Sequence, residues 1–130
     1  MIDDEIKDMV LDYMEKGFLE NIVDMFKHDE SLYPLIIDMI QDERMRVRLG
    51  ATALVEEFSA QMRDTLSPIV PALILLLTNP NPTIRGDAAN LLGIIRHRDT
   101  LPFLMAAEKD EDMSVREIVK DSIEEIKARW

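Results

Sequence analysis

Three arginines at repeating positions are the strongest chemical signal in this 130-residue chain. Arg48, Arg85 and Arg116 each follow a polar loop residue by six positions, namely Asp42, Asn79 and Asp110. A proline stands eight residues ahead of each loop residue, at Pro34, Pro71 and Pro102. Three guanidinium forks in one register could line up as an anion site, because the fork suits phosphate and carboxylate. The loop acids offset that charge, however, so the reading that carries more weight is structural.

The other chemistry-bearing residues are sparse. His28 precedes Asp29 and Glu30, but one histidine beside two adjacent acids does not have metal-ligand spacing. His97 lies between Arg96 and Arg98, a poor setting for a neutral ligand, and reads as solvated. The chain has no cysteine, which excludes disulfides, thiolate metal sites and cysteine catalysis. It contains no phosphate-cradling glycine loop and no G-x-S-x-G elbow. The many carboxylates fall on polar helix faces with no desolvating surroundings. No catalytic, cofactor-binding or metal-ligating residue is assigned, and the expectation is a protein without catalysis of its own.

Net charge of −11 opposes nucleic acid, whose phosphates call for an excess of lysine and arginine. An anionic membrane surface is disfavoured for the same reason; the acidity reads first as a device for solubility and second as the mark of a partner protein with a basic surface. The opening MIDDEIKDMV has neither the basic nor the apolar region of a signal peptide, and the apolar run 69–77 is far short of a membrane span. A cytoplasmic location is expected.

The elements that position these residues are helices. Residues 3–16 carry Ile6, Met9, Val10, Tyr13 and Met14 at helical spacing, and Gly17 is placed to end the helix in a left-handed cap. A second, shorter stripe, Ile22, Val23 and Phe26, follows within 18–28. Residues 1–30 hold ten acids against three lysines, −7 of the total, and read as an N-terminal cap of the same domain. Three units follow, over 31–61, 66–97 and 100–130. The first helix of each is expected to start at Ser31, Ser67 or Thr100 as an N-cap, with a kink or delayed start at Pro71. The second helices share one apolar register: Val47, Ala51, Leu54, Val55 and Phe58; then Ile84, Ala88, Leu91, Leu92 and Ile95; then Val115, Val119, Ser122, Ile123 and Ile126. The units are offset by 37 and then 31 residues, with the difference absorbed in a connector, 59–66. A two-helix unit cannot bury its apolar face alone, so the units must stack, and 69–77, apolar almost all round, is expected to be covered on both sides.

With DEDMSVREIVKDSIEEI, NPNPTIRGDAANLLGII and DERMRVRLGATALVEEF in register, the chain from residue 31 onward resembles HEAT repeats, especially the short HEAT-like repeats of phycobilisome-lyase-type proteins. The resemblance implies an all-α fold, a right-handed α-α superhelix (α-solenoid) of about four helical hairpins, the last three HEAT-like. It also implies a hydrogen-bonded ladder between units, built from Asp42, Arg48, Asn79, Arg85, Asp110 and Arg116, with a neutral, weaker rung at Asn79. Iron-dependent HEAT-like hydroxylases carry repeated His-Glu pairs, and neither histidine here precedes a glutamate. HEAT-like DNA glycosylases need a basic groove, which the charge opposes.

The direction opposite the core on each second helix gives three rows: Leu49, Ala53 and Glu56; Gly86, Asn90 and Gly93; Glu117, Asp121 and Glu124. Stacking sets the rows side by side on the inner face, apolar at the first unit and acidic at the third, with a shallow notch at the two glycines. The function expected is a protein–protein interaction scaffold that binds its partner on this face. The alternative is a lyase-like or chaperone-like factor that holds a prosthetic group or client. The two capped ends suit a monomer.

Overall fold

The computed structural model describes residues 3–61 and 64–129. Met1 and Trp130, at the ends of the expected units, and Met62 and Arg63, in the expected connector, lie outside the described residues. The protein is all-α. Among the described residues, eight α-helices pair as four hairpins: α1 (Asp4–Glu15) with α2 (Leu19–His28), α3 (Leu35–Ile40) with α4 (Met45–Gln61), α5 (Val70–Leu76) with α6 (Pro82–Ile95), and α7 (Leu101–Ala106) with α8 (Met113–Arg129).

α1 is held at both ends by its own sequence. Asp3 Oδ1 accepts from the Ile6 N–H at 2.9 Å, and the early acids Asp4 and Glu5 suit the positive end of the dipole. Gly17 takes φ +87°, which lets its N–H reach Met14 O and the Phe18 N–H reach Tyr13 O. That geometry also brings Tyr13 and Phe18 edge to face at 5.7 Å. The buried face of α1 is Val10, Leu11 and Met14, whereas Ile6, Met9 and Tyr13 stay more than a third exposed. The stripe is therefore rotated from the expected one, because α1 packs against α4 as well as α2.

The first helices do not start where a Ser or Thr cap would place them. Short 3-10 turns at Glu30–Leu32, Ser67–Ile69 and Arg98–Thr100 lead into α3, α5 and α7. Asp29, not Ser31, caps the first of these turns, accepting from the Ser31 N–H at 3.0 Å. Ser67 makes no cap, and Thr100 donates its hydroxyl back to His97 O at 2.7 Å. Pro34, Pro71 and Pro102 sit where each turn hands over to its helix, where a missing N–H costs little. The delayed start at Pro71 takes this form.

The second helices carry the expected apolar register. Val47, Ala51, Leu54, Val55 and Phe58 of α4 are buried, as are Val115, Val119, Ser122, Ile123 and Ile126 of α8. On α6, Ala88, Leu91 and Leu92 are buried, with Ile84 and Ile95 partly so. α4 runs on to Gln61, so residues 59–61 of the expected connector are helix. Phe26, Tyr33 and Phe58 form one aromatic cluster, with centroids 5.6–6.5 Å apart, that joins α2 to the α3–α4 hairpin.

α4, α6 and α8 lie side by side, with α1 against the free flank of α4, and the α6–α8 pair makes the most extensive contact in the molecule. Here the expected double coverage is corrected. In the middle unit the element enclosed between two neighbours, α4 and α8, is α6, while in α5 Leu75 is 74% exposed and Ile74 and Leu76 are only partly buried. Hydrophobicity of the 69–77 run gave no information on which neighbour would cover it.

Candidate partner-binding face and the loops that set it

Each of the last three hairpins turns on the same small device. Asp42 Oδ1 accepts from the Arg44 N–H at 2.8 Å, Asn79 Oδ1 from the Asn81 N–H at 2.9 Å, and Asp110 Oδ1 from the Asp112 N–H at 2.9 Å. The turn needs only an accepting Oδ1 on Cγ, which aspartate and asparagine both supply. The arginine six residues on then clamps the loop. Arg48, Arg85 and Arg116 donate Nη1 to the backbone carbonyls of Asp42, Asn79 and Asp110 at 2.9, 2.9 and 2.7 Å. The carbonyls of Glu43 and Pro80 take a second bond from Arg48 and Arg85. Asn81 caps α6 through the Thr83 N–H, and Asp112 caps α8 through the Val115 N–H.

Contacts between hairpins differ from unit to unit. Arg85 donates Nε and Nη2 to the two carboxylate oxygens of Asp110 at 2.9 and 3.0 Å, a bidentate pair whose side chains are 8% and 9% exposed. The hydrogen bonds to Arg85 hold the Asp110 carboxyl below the usual carboxylate range, and Asp110 in turn raises the Arg85 guanidinium. The loop residue that would correspond to Asp110 for Arg48 is the neutral Asn79, and the ionic partner of Arg48 is Asp87 on α6, at 3.8 Å. Burial pushes the Asp87 carboxyl up, and Arg48 offsets that in part. Asp38 of α3 is likewise raised by burial, against the opposing charge of Lys7.

One tie was absent from the sequence reading. Arg44 binds Asp42 through Nε at 2.9 Å and Nη2 at 3.1 Å, and extends Nη1 to Asp12 of α1 at 2.8 Å. Its hydrogen bonds to Asp42 and then Asp12 raise the Arg44 guanidinium, and Arg44 lowers Asp42. The first hairpin is thus pinned to the α3–α4 loop by a residue outside the repeating pattern. His97 is also more than a solvated side chain: it is partly buried, and Nδ1 accepts from the Asp99 N–H at 3.3 Å to cap the turn before α7. His28 is exposed, with Nδ1 against Asp24 O at 2.8 Å.

The nine residues expected on the inner face separate into two groups. Leu49, Glu56, Asn90, Glu117, Asp121 and Glu124 are exposed and Ala53 is partly buried, all on the row formed by α4, α6 and α8. Asn90 and Asp121 face each other across a crevice of about 250 Å³ between α6 and α8. Gly86 and Gly93 are both buried under α8, and Gly93 lines the bottom of that crevice. A Cβ on Gly93 would lie 2.5 Å from Ser122 Oγ and 3.0 Å from Ser122 Cα, and one on Gly86 would lie 3.1 Å from Ile118 Cδ1. These glycines, with Ala89 between them, let α8 approach closely enough for Ser122 Oγ to donate to Ala89 O at 2.8 Å. The Leu-Gly pattern alone could not tell close approach from an open surface.

Two further surfaces are cut between neighbouring helices. One lies between α2 and the C-terminal half of α4 and includes Ala53 and Glu56. The other, about 840 Å³, lies between α5 and α7, with Leu75, Phe103 and Ala106 on its walls.

Residues 70–128 match the family model for HEAT repeats. The match spans the α5–α6 and α7–α8 hairpins, the pair joined by the Arg85–Asp110 bridge. No curated protein matches the chain. Among the described residues, no group of three or more His, Asp or Glu is arranged to hold a metal ion, and no helix is long and apolar enough to cross a membrane.

Proposed function

We propose that the protein is a non-catalytic α-solenoid scaffold that binds another protein on the face of α4, α6 and α8 turned away from α3, α5 and α7. The observation that carries this reading is the contrast between what that row buries and what it leaves out. Its arginine clamps and small residues are spent between helices, yet Leu49 is 63% exposed and Asn90 and Asp121 flank an open crevice. Repeat stacks present extended surfaces of this kind to partners. The α3–α4 hairpin shares the loop clamp of the two matched hairpins, which supports counting it as a third HEAT-like unit over 31–61, beside 66–97 and 100–130. Residues 1–30 then act as the N-terminal cap and the charged outer face of α8 as the C-terminal one, in a right-handed superhelix of the short phycobilisome-lyase-type repeat. Capped ends favour a monomer, and the surplus of acids favours a cytoplasmic partner with a basic surface.

The test is Asn90→Arg with Asp121→Arg, two exposed positions, followed by partner capture from the native host. Loss of a stoichiometric partner at unchanged thermal stability supports the reading; capture identical to the wild type refutes it.

A second reading, a lyase-like or chaperone-like factor, is favoured by the open groove between α5 and α7, where Leu75 is 74% and Phe103 49% exposed. An absorbing or mass-shifted species that co-purifies with the wild type and is lost on Phe103→Asp would establish it. A colourless protein of unshifted mass, with no client released by that variant, would remove it.

A further inference from the structure

The groove between α2 and α4 has a composition that selects its occupant. Two strips of side chains meet there, Leu19, Glu20, Val23, Asp24 and Lys27 from α2 and Ala53, Glu56, Glu57 and Ala60 from α4. Both follow helical spacing, so each helix offers one continuous edge. Leu19 and Val23 on one side and Ala53 and Ala60 on the other form a floor of short or partly buried apolar side chains. Acids flank that floor from both helices: Glu20 and Asp24 on α2, Glu56 and Glu57 on α4. Lys27 is the single cation among the described lining residues.

The acids are little compensated. Among the described residues, Glu20, Glu56 and Glu57 have no ion-pair partner, and Asp24 has only His28, 3.7 Å away and exposed. Glu57 accepts a hydrogen bond from Gln61, a neutral partner. Facing carboxylates without cations repel one another, and a cation brought between them relieves that repulsion. The volume, about 760 Å³, accommodates a row of aliphatic side chains laid along a cleft between helices.

We infer that the groove between α2 and α4 binds a basic amphipathic helix of a partner protein, its aliphatic residues on the Leu19/Val23 and Ala53/Ala60 floor and its lysines or arginines against the two acidic edges. This rests on the scaffold reading above and supplies the chemical class of the partner. The same charges disfavour nucleic acid, an anionic membrane and a second copy of this chain, whose net charge is −11.

The probe is a helical peptide of roughly 16 residues with leucines at i, i+4 and i+7 flanked by lysines, labelled for fluorescence anisotropy. A matched peptide with glutamate in place of lysine is the control. The expected result is saturable binding of the basic peptide alone, weaker at about 300 mM than at about 50 mM salt. Glu20→Lys with Glu56→Lys, which turns two attractive edge charges into repulsive ones, weakens it roughly tenfold or more. Glu43→Lys with Glu108→Lys, which changes net charge equally at positions outside the groove and off the face of α4, α6 and α8, leaves it within about twofold. All four positions are exposed, and Asp24→Asn with Glu57→Gln repeats the test without reversing charge. Equal weakening by the two lysine pairs, or no binding to the wild type, overturns the inference. Should Asn90→Arg with Asp121→Arg release a native partner while the peptide ignores the groove, the scaffold reading stands and this inference falls.

Discussion

Gly93→Ala probes the close approach of α8 to α6. An added Cβ lies 2.7 Å from Ser122 Cβ and 3.0 Å from Ser122 Cα, so backbone as well as side chain must move. Overpacking of this kind costs about 1–3 kcal/mol, and the better helix propensity of alanine returns about 1 kcal/mol. Because backbone is among the atoms displaced, the upper part of that range, about 2–3 kcal/mol, applies, and the net expectation is a loss of about 1–2 kcal/mol. At about 3–4 °C per kcal/mol for a chain of this length, that lowers Tm by roughly 3–8 °C. Gly86→Ala is the internal control, because the only close atom is the far end of the Ile118 side chain, at 3.1 Å. It should be neutral or stabilising by up to about 1 kcal/mol. Ser122→Gly removes the obstructing Cβ and Oγ but also the bond to Ala89 O. The double variant Gly93→Ala/Ser122→Gly should therefore be more stable than the sum of its parts by about 1 kcal/mol. Denaturant unfolding followed by circular dichroism reads all four proteins. A Gly93→Ala protein as stable as the wild type, or additive behaviour in the cycle, would refute the packing argument.

Other outcomes follow from burial and charge. Leu91→Ala, at a fully buried position, should cost about 2–5 kcal/mol, whereas Leu75→Ser should stay within about 0.5 kcal/mol in the same unfolding assay. Asp110 and Asp42 are held below the usual carboxylate range, so the stability they contribute is present above the unfolded value of about 3.9 and is lost as pH falls through their lower folded values. Asp110→Asn should accordingly flatten the stability–pH curve below about pH 4. Asp87 has the opposite sign: its raised carboxyl favours the folded state below about pH 3.9, and that advantage disappears as pH rises through the folded value. Asp87→Asn should therefore gain on the wild type from pH 4 upward, by under about 1 kcal/mol, in pH-dependent thermal melts. Light scattering should give a mass of 15.0 kDa that does not rise with concentration if the capped-monomer reading holds.

The parts of the fold legible in sequence were those set by local periodicity. The apolar register of α4, α6 and α8 follows from a 3.6-residue repeat, and the spacing of Asp42, Asn79 and Asp110 from their arginines marks a loop that closes on itself. Choices settled by tertiary contact were not legible. Ser31, Ser67 and Thr100 have the chemistry of helix caps, but each falls inside a 3-10 turn; Ser31 and Thr100 bond back to Asp29 and His97, and no side chain caps the turn that holds Ser67. Arg44 reaches an acid 32 residues away, which no local pattern announces. On the candidate face the exposed positions could be assigned from helical direction, yet direction cannot report how near the next helix comes. Gly86 and Gly93 share the azimuth of Asn90 closely enough to be grouped with it, and the approach of α8 takes them away.

The most direct test of the central claim is hydroxyl-radical footprinting of the captured complex against the free protein. The account predicts protection at Leu49, with neighbouring exposed side chains of α4, α6 and α8, while Leu75, Phe103 and Met105 on α5 and α7 remain equally reactive. Protection confined to Leu75, Phe103 and Met105 would contradict it.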